Sequence, residues 1–133
     1  MRNIVLFQIN AIMQTTLQLR STAQPSGQLE IALVTQTLPA LGPNDVRVEV
    51  QATPINPSDI GLLWGAADVS TARTDSAAPH AVVIADIPAQ AMPSMASRLG
   101  LSLPVGNEGA GRVIEAGSAP EAQALLGRTV AMV

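Results

Sequence analysis

Apolar and polar residues alternate with a period of two over much of the first half of the chain. Residues 17–19 and 29–33 place leucine or isoleucine at every second position, which is typical of half-buried β-strands. Between them, Gln24-Pro25-Ser26-Gly27 has the composition of a tight turn. We therefore predict a β-hairpin here.

Valines at 46, 48 and 50 alternate with charged or polar residues and predict another half-buried strand over 46–52. Pro54 and Pro57 follow, and neither can donate a hydrogen bond to a strand ladder. Ser58 and Asp59 then precede an apolar run. This predicts a short helix whose free amides are capped by Ser58 or Asp59.

In the rest of the chain, some segments predict secondary structure clearly and others only weakly. Residues 66–103 are rich in Ala, Ser, Thr and Pro, and only two fragments within them predict structure: a strand over 80–87 and a short helix over 92–101. The C-terminal part predicts a strand over 113–117 ending in a glycine turn, a helical or turn segment over 120–126 and a strand over 129–133.

Composition excludes several classes of function. The seven arginines are scattered singly in a chain of net charge −3 without lysine, so it lacks the clustered cations that bind nucleic acid. It also lacks a polybasic or amphipathic patch for membranes. Without cysteine there can be no disulfide and no thiolate metal ligand. We expect a cytoplasmic protein.

The glycine-rich segment Gly106–Gly111, GNEGAG, has the reverse of the dinucleotide-binding spacing and precedes a strand rather than a helix. We interpret its glycines as allowing one strand to pass close to another backbone. Its polar pair, Asn107 and Glu108, leaves two alternatives open: a solvated strand edge, or side chains that face a polar cavity.

Other candidate residues are less distinctive. Asp59 is explained by capping, whereas Asn56, between Ile55 and a proline, is not. Trp64 is expected in the core or in a pocket wall. The single histidine, His80, lies in a Pro/Ala stretch that favours the surface, and nothing indicates a catalytic triad.

Three segments in this order, VRVEVQA with INPSD (46–59), GNEGAGRVIEAGS (106–118) and LLGRTVAMV (125–133), resemble the medium-chain dehydrogenase/reductase superfamily. The similarity is to the GroES-like catalytic domain of its quinone oxidoreductases and covers residues 13–133. It implies a mostly β fold (α+β), a partly open barrel with one or two short helices, incomplete because it stops before the Rossmann domain. Residues 1–12 would be an N-terminal extension.

The resemblance also implies a function. Asn56 and Asn107 stand where zinc-dependent members have ligands, so no zinc is expected. The parent enzyme would transfer hydride from NADPH to a quinone or enone, a conjugated carbonyl. Asn56, Asp59 and Trp64 would belong to the substrate and nicotinamide cleft, with Asn107 and Glu108 on its floor.

Two departures from the family remain. The chain has no tyrosine where related reductases often have one, and residues 68–103 form an insertion. This insertion is expected either to cover the cleft as a lid or to pack outside the barrel or in a homodimer contact. The isolated chain is expected to be inactive. An enoyl-thioester reductase and a non-enzymatic GroES-like binding or oligomerisation module are the alternatives.

Overall fold

The computed structural model describes residues 14–75 and 82–133. Eight strands and three helical segments follow one another there. They are β1 (Thr15–Gln24), β2 (Gln28–Thr37), β3 (Val46–Ala52), α1 (Pro57–Trp64), β4 (Asp68–Asp75), β5 (Val82–Asp86), a 3₁₀ helix (Ala89–Arg98), β6 (Ser102–Pro104), β7 (Gly109–Ala116), α2 (Pro120–Gln123) and β8 (Thr129–Met132). The expected N-terminal extension, residues 1–12, and His80 lie outside the described residues.

The strands form two open sheets, one of five strands in the order β4-β5-β2-β1-β6 and one of three in the order β3-β7-β8. All pairings between strands are antiparallel. The prediction of a mostly β protein with few short helices is confirmed. The described part has three helical segments, however, rather than the one or two expected.

The predicted hairpin is confirmed. Strands β1 and β2 pair in unbroken register from Thr15 with Thr37 to Gln24 with Gln28. Gly27 closes the three-residue loop with φ of 85°, and its N–H donates to the Gln24 carbonyl at 3.0 Å. Loops of this length place a left-handed residue at this position, and glycine adopts that conformation without strain.

The three-stranded sheet contains the close backbone approach that the glycine-rich segment predicted. Strand β3 pairs with β7, with Val50 opposite Gly111. A Cβ atom on Gly111 would overlap the carbonyl oxygen of Glu49 and lie 2.8 Å from both the carbonyl carbon of Glu49 and Cγ1 of Val48. The second half of the glycine-rich segment thus belongs to β7, which begins at Gly109 and not at the predicted residue 113.

Helix α1 is capped by Asp59, one of the two predicted residues. Asn56 is the N-cap residue, and the Asp59 carboxylate accepts the backbone N–H of Asn56 at 2.8 Å. Pro57 occupies the first turn, where a missing N–H costs nothing. Asp59 thus has the capping role expected of it, whereas Ser58 does not, and the N-cap position explains why an asparagine stands at 56.

The described strands of the segment 68–103, together with β6, belong to the larger sheet. Strand β5 pairs with β2, β4 pairs with β5, and β6 pairs with β1. The predicted strand over 80–87 is found at Val82–Asp86, and the helix predicted over 92–101 is the 3₁₀ helix at Ala89–Arg98. Strand β4 was not predicted.

The main hydrophobic core lies under the turn end of the hairpin. It comprises Ala23, Leu29, Ile31, Ile87 and Met95, with side chains from α1 and the 3₁₀ helix packed around it. Among the described residues, no helix is both long and apolar enough to cross a membrane.

Candidate functional site

A cavity of about 1190 Å³ lies between the two sheets. Its walls come from the first half of β1, from β3, from the loop and helix that follow β3, and from residues 105–108. Gln14 before β1, Leu38 after β2, Ile114 on β7 and Met132 on β8 complete the lining. The cavity therefore lies where the faces of two unclosed sheets meet.

One face of the hairpin passes from the core into this cavity. Alternate residues share a face of a strand, so Leu17, Leu19, Ser21 and Ala23 form one row on β1. Ala23 and Ser21 are fully buried, whereas Leu19 is 37% and Leu17 is 50% exposed. Both exposed leucines line the cavity. The apolar stripe thus continues beyond the end of the core and becomes the cavity wall.

Other large aliphatic side chains repeat this arrangement. Val50, Ile55, Ile60 and Ile114 all line the cavity and are all exposed. Single exposed aliphatic residues are ordinary on protein surfaces, but a contiguous apolar concavity marks a binding site. The cavity offers an apolar molecule a surface of aliphatic side chains.

Three of the five residues predicted for the cleft line this cavity. Asp59 enters from the first turn of α1, and Asn107 and Glu108 lie in the loop before β7. Both Asn107 and Glu108 are exposed, and neither side chain hydrogen-bonds another residue in the described part of the chain. The sequence left open whether this pair is solvated or faces a cavity. In the structure both hold, because the two residues lie in a solvated loop that also lines the cavity.

The other two predicted residues lie beside the cavity and do not line it. Asn56 caps α1. Trp64, at the last position of α1, packs against the hydrophobic core and belongs to the core rather than to the cavity wall. Helix α1 therefore contributes Asp59, Ile60 and Leu63 to the cavity and Trp64 to the core.

The polar side chains of the cavity carry an excess of negative charge. Glu49, Asp59 and Glu108 line it together with Arg47. The Arg47 guanidinium is engaged by Glu115, by Gln14 and by the carbonyl of Pro39, the last at 2.8 Å. This charge balance suits a neutral or cationic ligand better than a phosphate group.

The described residues of the segment 68–103 do not line the cavity. Met95 is buried in the core, and Met92 packs against that core. No described residue between 64 and 104 lines the cavity. For these residues the lid hypothesis is wrong, because the methionines find their apolar surface beneath the hairpin.

Arg98 was not predicted as a functional residue, because nothing in the sequence distinguishes it from the other scattered arginines. Its Nη2 donates to the Ser21 hydroxyl at 2.9 Å and to the Leu62 carbonyl at 2.8 Å. Its Nε is buried and has no partner among the described residues. Burial lowers the pKa of Arg98 from its ordinary value. Elsewhere, hydrogen bonds from the Ser70 hydroxyl and backbone N–H lower the pKa of Asp68.

Within residues 14–75 and 82–133 no group of three or more His, Asp or Glu side chains could hold a metal ion. A scan against models of known protein families finds no match, and a search of curated proteins finds no significantly similar sequence. These comparisons do not identify the medium-chain dehydrogenase/reductase superfamily, and only the sequence resemblance points to it.

Proposed function

We propose that this chain is the substrate-side domain of a zinc-independent, NADPH-dependent oxidoreductase that reduces quinones or enones. The observation that carries the proposal is the cavity between the sheets, because it has aliphatic walls and includes Asp59, Asn107 and Glu108 in its lining. Ligand sites commonly combine mostly apolar walls with a few polar groups. Two open sheets facing each other across a cavity also suit a partly open GroES-like barrel.

In this proposal the chain's own residues bind and orient the substrate. The aliphatic side chains receive an apolar ring and exclude water from it. The Asn107 amide is a neutral donor in the lining and can hydrogen-bond a carbonyl oxygen, whose negative charge grows as hydride arrives. The hydride itself is supplied by NADPH when it is bound to the parent enzyme.

The described residues do not fit the phosphates of NADPH. The N-terminus of α1, where a phosphate could bind, is occupied by the Asp59 carboxylate. The glycine-rich segment is used for close pairing of β3 with β7. We therefore assign phosphate binding to a separate Rossmann domain of the parent enzyme. The proposal places this enzyme in the cytoplasm and allows it to form a homodimer.

Calorimetric titration with 1,4-naphthoquinone tests the proposal. The chain has no cysteine and no lysine side chain, which limits covalent addition to the quinone. Ile114→Glu places a charge in the cavity wall, and Val69→Glu is its matched control, because Val69 on β4 is equally exposed at 54% but lies outside the cavity. We expect Ile114→Glu to weaken binding at least about tenfold through charge burial and Val69→Glu to leave it unchanged.

Equal effects of the two variants, or no binding by the unmodified chain, would contradict the proposal. Tighter binding of an acyl thioester than of the quinone would favour the enoyl-thioester reductase. A stable symmetric assembly that binds neither ligand, seen by analytical ultracentrifugation, would favour the non-enzymatic module.

A further inference from the structure

The C-terminal end of helix α1 is fixed by groups from three other parts of the chain. The last four carbonyl groups of a helix have no partner within it. In α1, Gly61 and Trp64 bond the N–H groups of Gly65 and Ala67 at 2.8 and 3.0 Å. The two carbonyls between them accept from side chains instead, Leu62 from Arg98 and Leu63 from the hydroxyl of Ser21.

Ser21 and Arg98 form one hydrogen-bonded unit. The Arg98 Nη2 donates to the Ser21 hydroxyl at 2.9 Å, and that hydroxyl donates to the Leu63 carbonyl at 2.8 Å. Ser21 is fully buried on β1. The unit therefore joins β1, α1 and the end of the 3₁₀ helix through the Arg98 Nη2 and the Ser21 hydroxyl, and such paired buried groups fix geometry. The Arg98 Nε, in contrast, has no partner among the described residues.

Gly65, the residue after α1, is in close contact with the 3₁₀ helix that carries Arg98. Gly65 has φ of 56°, and a Cβ atom on it would lie 2.6 Å from Cε of Met95 and 3.2 Å from Nη1 of Arg98. The 3₁₀ helix thus packs directly against the C-terminus of α1. It brings a cation to the helix end that carries a partial negative charge.

We propose that Arg98 is a positioning residue that holds helix α1, and through it the Asp59, Ile60 and Leu63 wall of the cavity. The described part of the segment 68–103, through the 3₁₀ helix, then supports the site from behind α1. The description of this wall as a substrate wall rests on the proposed function, but the hold of Arg98 on the helix does not.

Hydrogen exchange of the unmodified chain and of Arg98→Met tests the inference. The N–H groups of Ile60 and Gly65 donate to the carbonyls of Asn56 and Gly61 in the first and last turns of α1. Both amides should exchange at least about tenfold faster in Arg98→Met. A change of this size is expected for the loss of a hydrogen bond from a charged donor. The amides of Val113 in β7 and of Gly117 just after it bond Arg128 and Asp45 and should keep their rates. Fluorescence from the single tryptophan, Trp64, should shift to longer wavelength.

Two further arginine variants make the test specific. Arg98→Lys keeps a cationic donor and should restore most of the protection of α1. Arg128→Met removes an exposed arginine outside the cavity lining and should change neither exchange nor fluorescence. If Arg98→Met does not fold, Ser21→Ala decides the question, because it removes the other half of the unit and should loosen the same amides.

The inference is overturned if α1 exchanges as in the unmodified chain, or if exchange rises equally in α1 and in Val113 and Gly117. With naphthoquinone as the probe, Arg98→Met should weaken binding about fivefold or more by loosening the cavity wall. Absence of quinone binding by the unmodified chain would refute the proposed function, while the exchange rates would still decide the role of Arg98.

Discussion

Replacing Gly111 by alanine should separate β3 from β7. The added Cβ would lie 2.8 Å from the carbonyl carbon of Glu49 and from Cγ1 of Val48, whereas carbon atoms in ordinary contact are about 3.5–4.0 Å apart. Strand β3 would have to move by roughly 1 Å. Overpacking of this kind costs about 1–3 kcal/mol, and each weakened ladder hydrogen bond adds about 1 kcal/mol. We expect a loss of about 3 kcal/mol.

Equilibrium unfolding in urea, followed by circular dichroism, measures this loss. Gly61→Ala is the matched control, because Gly61 lies within α1 and a Cβ atom there meets nothing within 4 Å. That variant should stabilise the protein by about 0.5–1 kcal/mol, since alanine favours helix over glycine. A loss below about 1 kcal/mol in Gly111→Ala would refute the close-approach explanation of the glycine-rich segment.

Four further predictions concern metal, cofactor, helix capping and charge. Elemental analysis should find no stoichiometric zinc, and calorimetry should find no micromolar NADPH affinity for this chain; either finding would contradict the assignment. Asp59→Ala should destabilise the protein by about 1 kcal/mol through loss of its cap, and Ser58→Ala should not. The Asp68 carboxyl, titrated by NMR, should show a midpoint below its ordinary 3.8. Because its folded pKa is lowered, its stabilising effect is present above the unfolded pKa and is lost as pH falls through the folded value; Ser70→Ala should raise that midpoint.

Elements with a clear local pattern could be predicted from the sequence. The hairpin, β3, α1 and the two C-terminal strands all show an alternating or capped pattern in the local sequence. Strand β4 was missed because its sequence, DVSTARTD, is mostly polar, has no alternating apolar pattern and lies at a sheet edge. Its position depends on pairing with β5, which local periodicity does not record.

The site was predicted in part for a similar reason. Asn107 and Glu108 stood out because polar residues in a glycine-rich segment need an explanation, and they do line the cavity. Trp64 could equally belong to core or pocket, and only the packing of α1 decides for the core. Arg98 could not be found, because its partners are a backbone carbonyl and a serine far away in sequence.

An NMR titration of the isotopically labelled chain with 1,4-naphthoquinone tests most directly whether the cavity between the two sheets binds the substrate. We expect amide shifts to concentrate on the cavity, at Leu17, Ile60, Asn107 and Ile114, and to leave Leu29 in the core unchanged. Shifts spread evenly over the surface, or confined to residues away from the space between the two sheets, would contradict this expectation.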